Sequence, residues 1–153
     1  MRYQGEVEPI ASRRNLKAAR SVVSPPRMTE PSPRILVVDD DDLIRLVATR
    51  LFRRHGAEVD TAASGAEGVG RFAEDPARYA MVLLDLTLPD LAGEQVFAKL
   101  REHSATVPVV FTSGHPLEDV AHRIEGLPGA TFLQKPFSNE ALRALASQAR
   151  GAS

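Results

Sequence analysis

Five short apolar runs, each handing over to a segment of helical periodicity, constrain this chain more than any other feature. Ile35-Leu36-Val37-Val38, Glu58 to Ala62, Met81-Val82-Leu83-Leu84, Pro108 to Thr112 and Ala130 to Leu133 are too short for stable helices. They suit strands, and the most apolar of them suit strands buried on both faces. Leu43, Ile44, Leu46, Val47 and Leu51 then recur at helical spacing and predict a helix that ends at Gly56. Ser64 with Glu67 three residues on predicts a capping box opening a second helix, running to about Ala73 before Pro76. A third helix is expected from about Gly93 to Glu102, burying Val96, Phe97 and Leu100. The fourth takes Pro116 into its first turn and ends near Gly126, and Ser138 caps the fifth, with Leu142 and Leu145 facing inward. Such alternation, with right-handed crossovers, requires a parallel sheet covered by helices on both faces.

At 153 residues and 43% hydrophobic, the chain is long enough for one domain with a proper core and too short for two ordinary ones. No apolar run approaches the roughly eighteen residues that span a bilayer, and no amino-terminal signal core is present, so a soluble protein is expected. The absence of cysteine excludes disulfides, thiolate metal sites and cysteine nucleophiles, and makes a cytoplasmic location the simplest expectation. A net charge of −1 offers no global attraction to nucleic acid. Residues 1–33 carry six Arg or Lys against three Glu, with five prolines, and the remainder carries 13 against 17. This stretch cannot bury enough apolar surface to offset its ordering entropy and is expected to be a disordered, basic, Pro-rich arm. A linker ahead of a natural start at Met28, a targeting segment and a nucleic-acid tail all fit its composition. The domain is expected over 34–150, with 151–153 as a tail.

In a parallel sheet all the strands' carboxyl ends meet at one edge, where ligands of open α/β sheets bind. The sequence places there Asp39 and Asp40 after the first strand, Asp85 after the third, Thr112 at the end of the fourth and Lys135 after the fifth. A lone aspartate after a strand is an ordinary N-cap or turn residue, but three converging carboxylates repel one another and call for a cation. Oxygen ligands without His or Cys suit Mg²⁺, and Lys135 and Thr112 supply the ammonium and hydroxyl that phosphoryl oxygens accept from. An aspartate can itself receive a phosphoryl group as an acyl phosphate. His55, His103, His115 and His122 lack metal-ligand spacing and read as surface residues, with His115 near enough to Thr112 to overhang the site. No Gly-rich phosphate loop occurs, and no bound nucleotide is expected.

These pieces in this order, Ile35 to Asp41, Leu83-Leu84-Asp85 with Leu88-Pro89 and Gly93, Val110 to Gly114, and Lys135-Pro136-Phe137, resemble the receiver domain of bacterial two-component response regulators. The likeness covers about 34–150. It implies a flavodoxin-like (βα)5 fold, a doubly wound parallel sheet of order 2-1-3-4-5. It implies that Asp85 accepts phosphate from a phosphohistidine of a sensor histidine kinase or a histidine phosphotransfer protein. Asp40, Asp85 and the Thr87 carbonyl would ligate Mg²⁺, with Asp39 helping through water. Lys135, aimed by a cis bond to Pro136, would contact the phosphoryl group, and Thr112 and Phe132 would form a switch. Leu88 stands where methionine is common, and Phe132 lacks a tyrosine's hydroxyl. The chain ends soon after the last helix, so output through a partner protein, phosphate relay or a phosphate sink is expected from a monomer or weak dimer, without direct DNA or membrane binding. Its chemistry would be limited to Mg²⁺-dependent self-phosphorylation and slow self-dephosphorylation.

Two rivals remain. Asp40 and Asp42 can be forced into the nucleophile motif of a haloacid-dehalogenase-like phosphatase, although the late acidic motif and a substrate cap are missing. A degenerate receiver that binds partners without phosphorylation would have lost an Asp, Thr or Lys, and none is lost.

Overall fold

The computed structural model describes residues 32–152. Strands β1 (Arg34–Val38), β2 (Glu58–Ala62), β3 (Met81–Asp85), β4 (Val109–Ser113) and β5 (Ala130–Gln134) alternate with helices α1 (Asp42–Arg54), α2 (Gly65–Glu74), α3 (Gly93–His103), α4 (Leu117–Ile124) and α5 (Asn139–Ala152). All neighbouring strands pair parallel in the order β2-β1-β3-β4-β5. The alternation requires a parallel sheet, and its order is that of the flavodoxin-like fold which the resemblance implied. The expected arm lies outside the described residues except for Ser32 and Pro33. Pro33 is buried, and its carbonyl accepts the Glu58 amide at 2.8 Å, just ahead of β1.

Strand alternation sends successive side chains to opposite faces. Leu36, Val38, Val82 and Leu84 pack with Phe72 of α2, Val96, Phe97 and Leu100 of α3, and Val120 of α4. Ile35, Val37, Met81 and Leu83 pack on the other face with Ala48 and Phe52 of α1 and Leu142, Leu145, Ala146 and Ala149 of α5. β3 lies between β1 and β4, and all five of its residues are buried, including Asp85.

Local signals decide where elements begin and end. Asp41 caps α1, its Oδ1 accepting the Leu43 and Ile44 amides. Ser64 caps α2 through the Glu67 amide, while the Glu67 carboxylate reaches back to the Ala63 amide, one residue beyond the reciprocal bond of a standard capping box. Ser138 Oγ accepts the Ala141 amide at the start of α5. Leu43 and Leu46 are 64% and 46% exposed, because Ala48 and Phe52 take the inward positions of α1. Two expectations are corrected. Pro116 is the residue before α4 instead of lying in its first turn. Gly151 and Ala152, expected in a tail, complete α5.

Away from the strands' carboxyl ends, Asp60 of β2 gathers three partners: Arg34 Nη1 at 2.7 Å, Arg78 Nη2 at 3.2 Å and the Tyr79 hydroxyl at 2.6 Å. Burial alone would raise the Asp60 carboxyl, but the Tyr79 hydroxyl and the two guanidinium groups outweigh it and hold it below the ordinary range. Burial and the bond to Asp60 push Tyr79 up to about 12. A carboxyl depressed by folding contributes stability that is complete above its unfolded value and is lost as pH falls through its folded value. Asp60→Asn is therefore expected to lose roughly 1 kcal/mol at pH 7, a modest figure because the cluster is partly exposed. The gap to wild type in urea unfolding should be constant from pH 7 to 5 and shrink below about 4. A gap that widens on acidification would refute this assignment.

Candidate functional site

The ladder itself assembles the site. Asp39 follows β1 and donates its amide to Ala62 O of β2, while Asp85 ends β3 and pairs in register with Thr112 of β4. Lys135 follows β5, and its amide donates to Ser113 O. One carboxylate oxygen from each of Asp39, Asp40 and Asp85 lies within 4.8 Å of the others. Asp39 and Asp85 are buried, and Asp40 is exposed at the mouth. Lys135 Nζ enters between the buried pair, 2.8 Å from Asp39 Oδ2 and 3.2 Å from Asp85 Oδ2. The Lys135-Pro136 bond is cis, as the resemblance implied.

Backbone amides steady both buried carboxylates. Asp39 Oδ1 accepts the Asp41 amide at 2.9 Å, and Asp85 Oδ1 accepts the Thr87 amide at 3.0 Å. Burial raises the Asp85 carboxyl above the ordinary range, and the charge of Asp39 adds to this against the opposing Thr87 amide and Lys135. Burial opposes charge on Lys135, but the two carboxylates outweigh it and raise its ammonium. Asp39 Oδ2 is buried and is ion-paired with the Lys135 ammonium at 2.8 Å. Three carboxylates against one ammonium leave the site short of positive charge. The all-oxygen donor set fits a small divalent cation, so this group can hold a metal ion.

The structure brings Asp39, Asp40, Asp85, Thr112 and Lys135 to one edge, as their strand positions predicted. Thr87 lies in the turn after β3, exposed, and bridges Ala92 across that turn. Phe132 is set apart: it pairs with Phe111, one residue before Thr112, and packs with the cluster beneath α3 and α4. By strand alternation Thr112 points to the other face. His115 is exposed beyond β4.

Three contributors escaped sequence reasoning. Arg45 of α1 donates from Nη1 to Asp39 O at 2.6 Å and pairs with Asp42. Asp90 accepts the Gly65 and Ala66 amides at 2.9 Å, tying the turn after β3 to the start of α2. Arg123 of α4 donates to Leu86 O in the same turn. Charged residues on surface helices carry no local mark of such reach. Only the position of Asp90, between Pro89 and Gly93, gave a turn signal.

A family model described as the response regulator receiver domain matches residues 35–147. The chain belongs to that family. The transcriptional regulatory protein SrrA of Staphylococcus aureus strain NCTC 8325 is 38% identical over 109 residues, 70% of this chain and 43% of that protein. The receiver thus spans less than half the length of that curated relative. A response regulator receiver domain protein of Clostridium thermocellum aligns with a TM-score of 0.70 at 28% identity, covering 78% of this chain and 94% of that one. The receiver domain of the hybrid histidine kinase CckA aligns at 0.65 and 33% identity, covering 76% and 98%.

A raised carboxyl has the opposite linkage to Asp60: its favourable contribution is complete below the unfolded value and is lost as pH rises through the folded value. Ionised Asp85 therefore weakens the receiver at neutral pH. Asp85→Asn is expected to melt higher than wild type at pH 7 in metal-free buffer, with the two curves converging below about pH 4. Equal melting temperatures at pH 7 would show that Lys135 fully offsets the cost.

Proposed function

We propose that this receiver accepts a phosphoryl group on Asp85 from the phosphohistidine of a sensor histidine kinase or a histidine phosphotransfer protein. The observation that carries this reading is the buried carboxylate of Asp85 at the strand edge, with Lys135 at 3.2 Å and a net deficit of positive charge around it. A carboxylate oxygen of Asp85 attacks phosphorus, the P–N bond to the donor imidazole breaks, and the freed imidazole nitrogen takes a proton from water.

Asp40, Asp85 and the Thr87 carbonyl would hold Mg²⁺, with Asp39 assisting, and the ion would supply charge neutralisation for the phosphoryl oxygens. Lys135 and the Thr112 hydroxyl contact those oxygens. Thr112 and Phe132 form the switch, coupled through Phe111, which pairs with Phe132 and adjoins Thr112. Phosphate at Asp85 biases a two-state packing of the α4, β5 and α5 face, and output passes to a protein partner or onward as the phosphoryl group. The protein works in the cytoplasm as a monomer or weak dimer, without direct DNA contact by this domain. Among the described residues no helix is long and apolar enough to cross a membrane.

The phosphatase alternative requires Asp42 beside the reacting centre. Its side chain is 94% exposed and paired with Arg45, away from the cluster. The degenerate alternative is opposed by the complete set of Asp39, Asp40, Asp85, Thr112 and Lys135.

Acetyl phosphate with Mg²⁺ is expected to label wild type at one residue, found by mass spectrometry to be Asp85, and Asp85→Asn should take no label. Labelling of Asp85→Asn at the wild-type rate would refute the assignment, and sustained turnover of p-nitrophenyl phosphate would favour the phosphatase. Because Mg²⁺ binds only the folded cluster, it is also expected to raise the melting temperature, with stabilisation of about 2.7 kcal/mol at a hundred times its dissociation constant. Unchanged melting at millimolar Mg²⁺ in a protein that takes no label would favour the degenerate receiver.

A further inference from the structure

Arg123 reaches from α4 to the turn that leaves the acceptor strand. Its Nη2 donates to Leu86 O at 3.0 Å and to Glu94 Oε1 at 2.6 Å, and its Nε donates to Glu94 Oε2 at 2.8 Å. The second and third contacts form a forked pairing with the first turn of α3, which holds the guanidinium in one orientation. Leu86 lies between Asp85 and Thr87, and its carbonyl also accepts the Gly93 amide at 3.0 Å. Opposite, the Asp90 carboxylate fixes the turn to the α2 amides. The turn is therefore suspended between two helices, α2 through Asp90 and α4 through Arg123.

Leu86 and Leu88 anchor the turn in the core, but on its Arg123 side lies an open depression of about 320 Å³, and the one residue that lines it from outside 86–92 is Arg123. The closing end is tight: a Cβ on Gly93 would sit 2.9 Å from Leu86 Cα and 3.1 Å from Asp85 O. A shift of Leu86 O thus moves the chain on both sides of Thr87.

We propose that Arg123 is a positioning residue for the chemistry at Asp85: by holding Leu86 O it fixes the 86–93 turn, and with it the Thr87 carbonyl, in the placement that a bound Mg²⁺ requires. The inference rests on the reading of Asp85 and Thr87 given above. Its consequence is reciprocal. Whatever draws Arg123 away with α4 weakens Mg²⁺ binding, and Mg²⁺ in turn favours the placement of α4 seen here.

The test uses the full chain and the variants Arg123→Gln, Arg123→Lys and Glu94→Gln. Amide hydrogen exchange without divalent metal is expected to speed up about fivefold to tenfold at Thr87 and Gly93 in Arg123→Gln, the scale of one lost ordinary hydrogen bond. The Leu86 amide, which donates to Thr112 O within the ladder, should keep its wild-type rate. Mg²⁺ affinity measured by calorimetry should fall by a similar factor, and the Mg²⁺ concentration for half-maximal labelling by acetyl phosphate should rise more than the maximal rate falls. Arg123→Lys should recover part of the loss, and Glu94→Gln, which leaves the donor to Leu86 O in place, should lose less than Arg123→Gln. Wild-type exchange at Thr87 and Gly93 in folded Arg123→Gln would overturn the proposal, as would equal acceleration at Leu86 or unchanged Mg²⁺ affinity. If Arg123→Gln does not fold, Arg123→Lys decides by the same criteria. A wild type that binds Mg²⁺ but takes no label at Asp85 would refute the acceptor reading alone, because exchange and affinity would still decide the role of Arg123. A wild type that binds no Mg²⁺ would overturn the proposal.

Discussion

Burying the carboxylates of Asp39 and Asp85 close together removes two ions from water and sets like charge against like, at a cost of several kcal/mol per ion before partners are counted. Much of the site's surroundings offsets that cost. The Asp41 and Thr87 amides each meet one oxygen, and the Lys135 ammonium enters from β5. These partners come from three separate segments of chain. Only a parallel sheet, with every strand delivering its carboxyl end to one edge, brings them together without long loops. The compensation is incomplete, as the raised Asp85 carboxyl shows. One ammonium among three carboxylates leaves the edge short of positive charge, the condition under which such a group can hold a metal ion.

The fold and the charged cluster were legible because each is written in short-range pattern. Five apolar runs named the strands, and the residue following or ending a strand named the ligand edge, so Asp39, Asp85 and Lys135 needed no tertiary knowledge. The exposure of Leu43 and Leu46 was not legible. Helical periodicity in α1 allows more than one inward stripe, and the choice fell to Ala48 and Phe52, which fit beneath α5. The contacts of Arg45, Asp90 and Arg123 were invisible for another reason. They join residues through side chains whose reach depends on how helices sit on the sheet, and Arg123 contacts Leu86 across 37 positions of sequence.

The helices differ in how firmly they are held. α5 buries Leu142, Leu145, Ala146 and Ala149, whereas the eight residues of α4 bury Val120 alone. A helix with so little apolar anchorage lies near the low-stability end of the structure, where rearrangement is least costly. Its charged link to α3 and to the turn after β3 therefore contributes a larger share of its placement than a similar link would on α5.

The Asp60 cluster has a separate consequence for association. β2 is an edge strand, and Asp60 sits at its middle, on the face where Phe72 and Tyr79 stack. Another chain pairing along β2 and extending this face would have to cover a carboxylate and two guanidinium groups already matched to one another. Burying such an ion cluster under a foreign strand is costly, and an inward-pointing charge at a strand's centre is one of the ways natural sheets discourage edge-to-edge aggregation. The same three charges that steady the first two strands thus help to keep the sheet from growing past five.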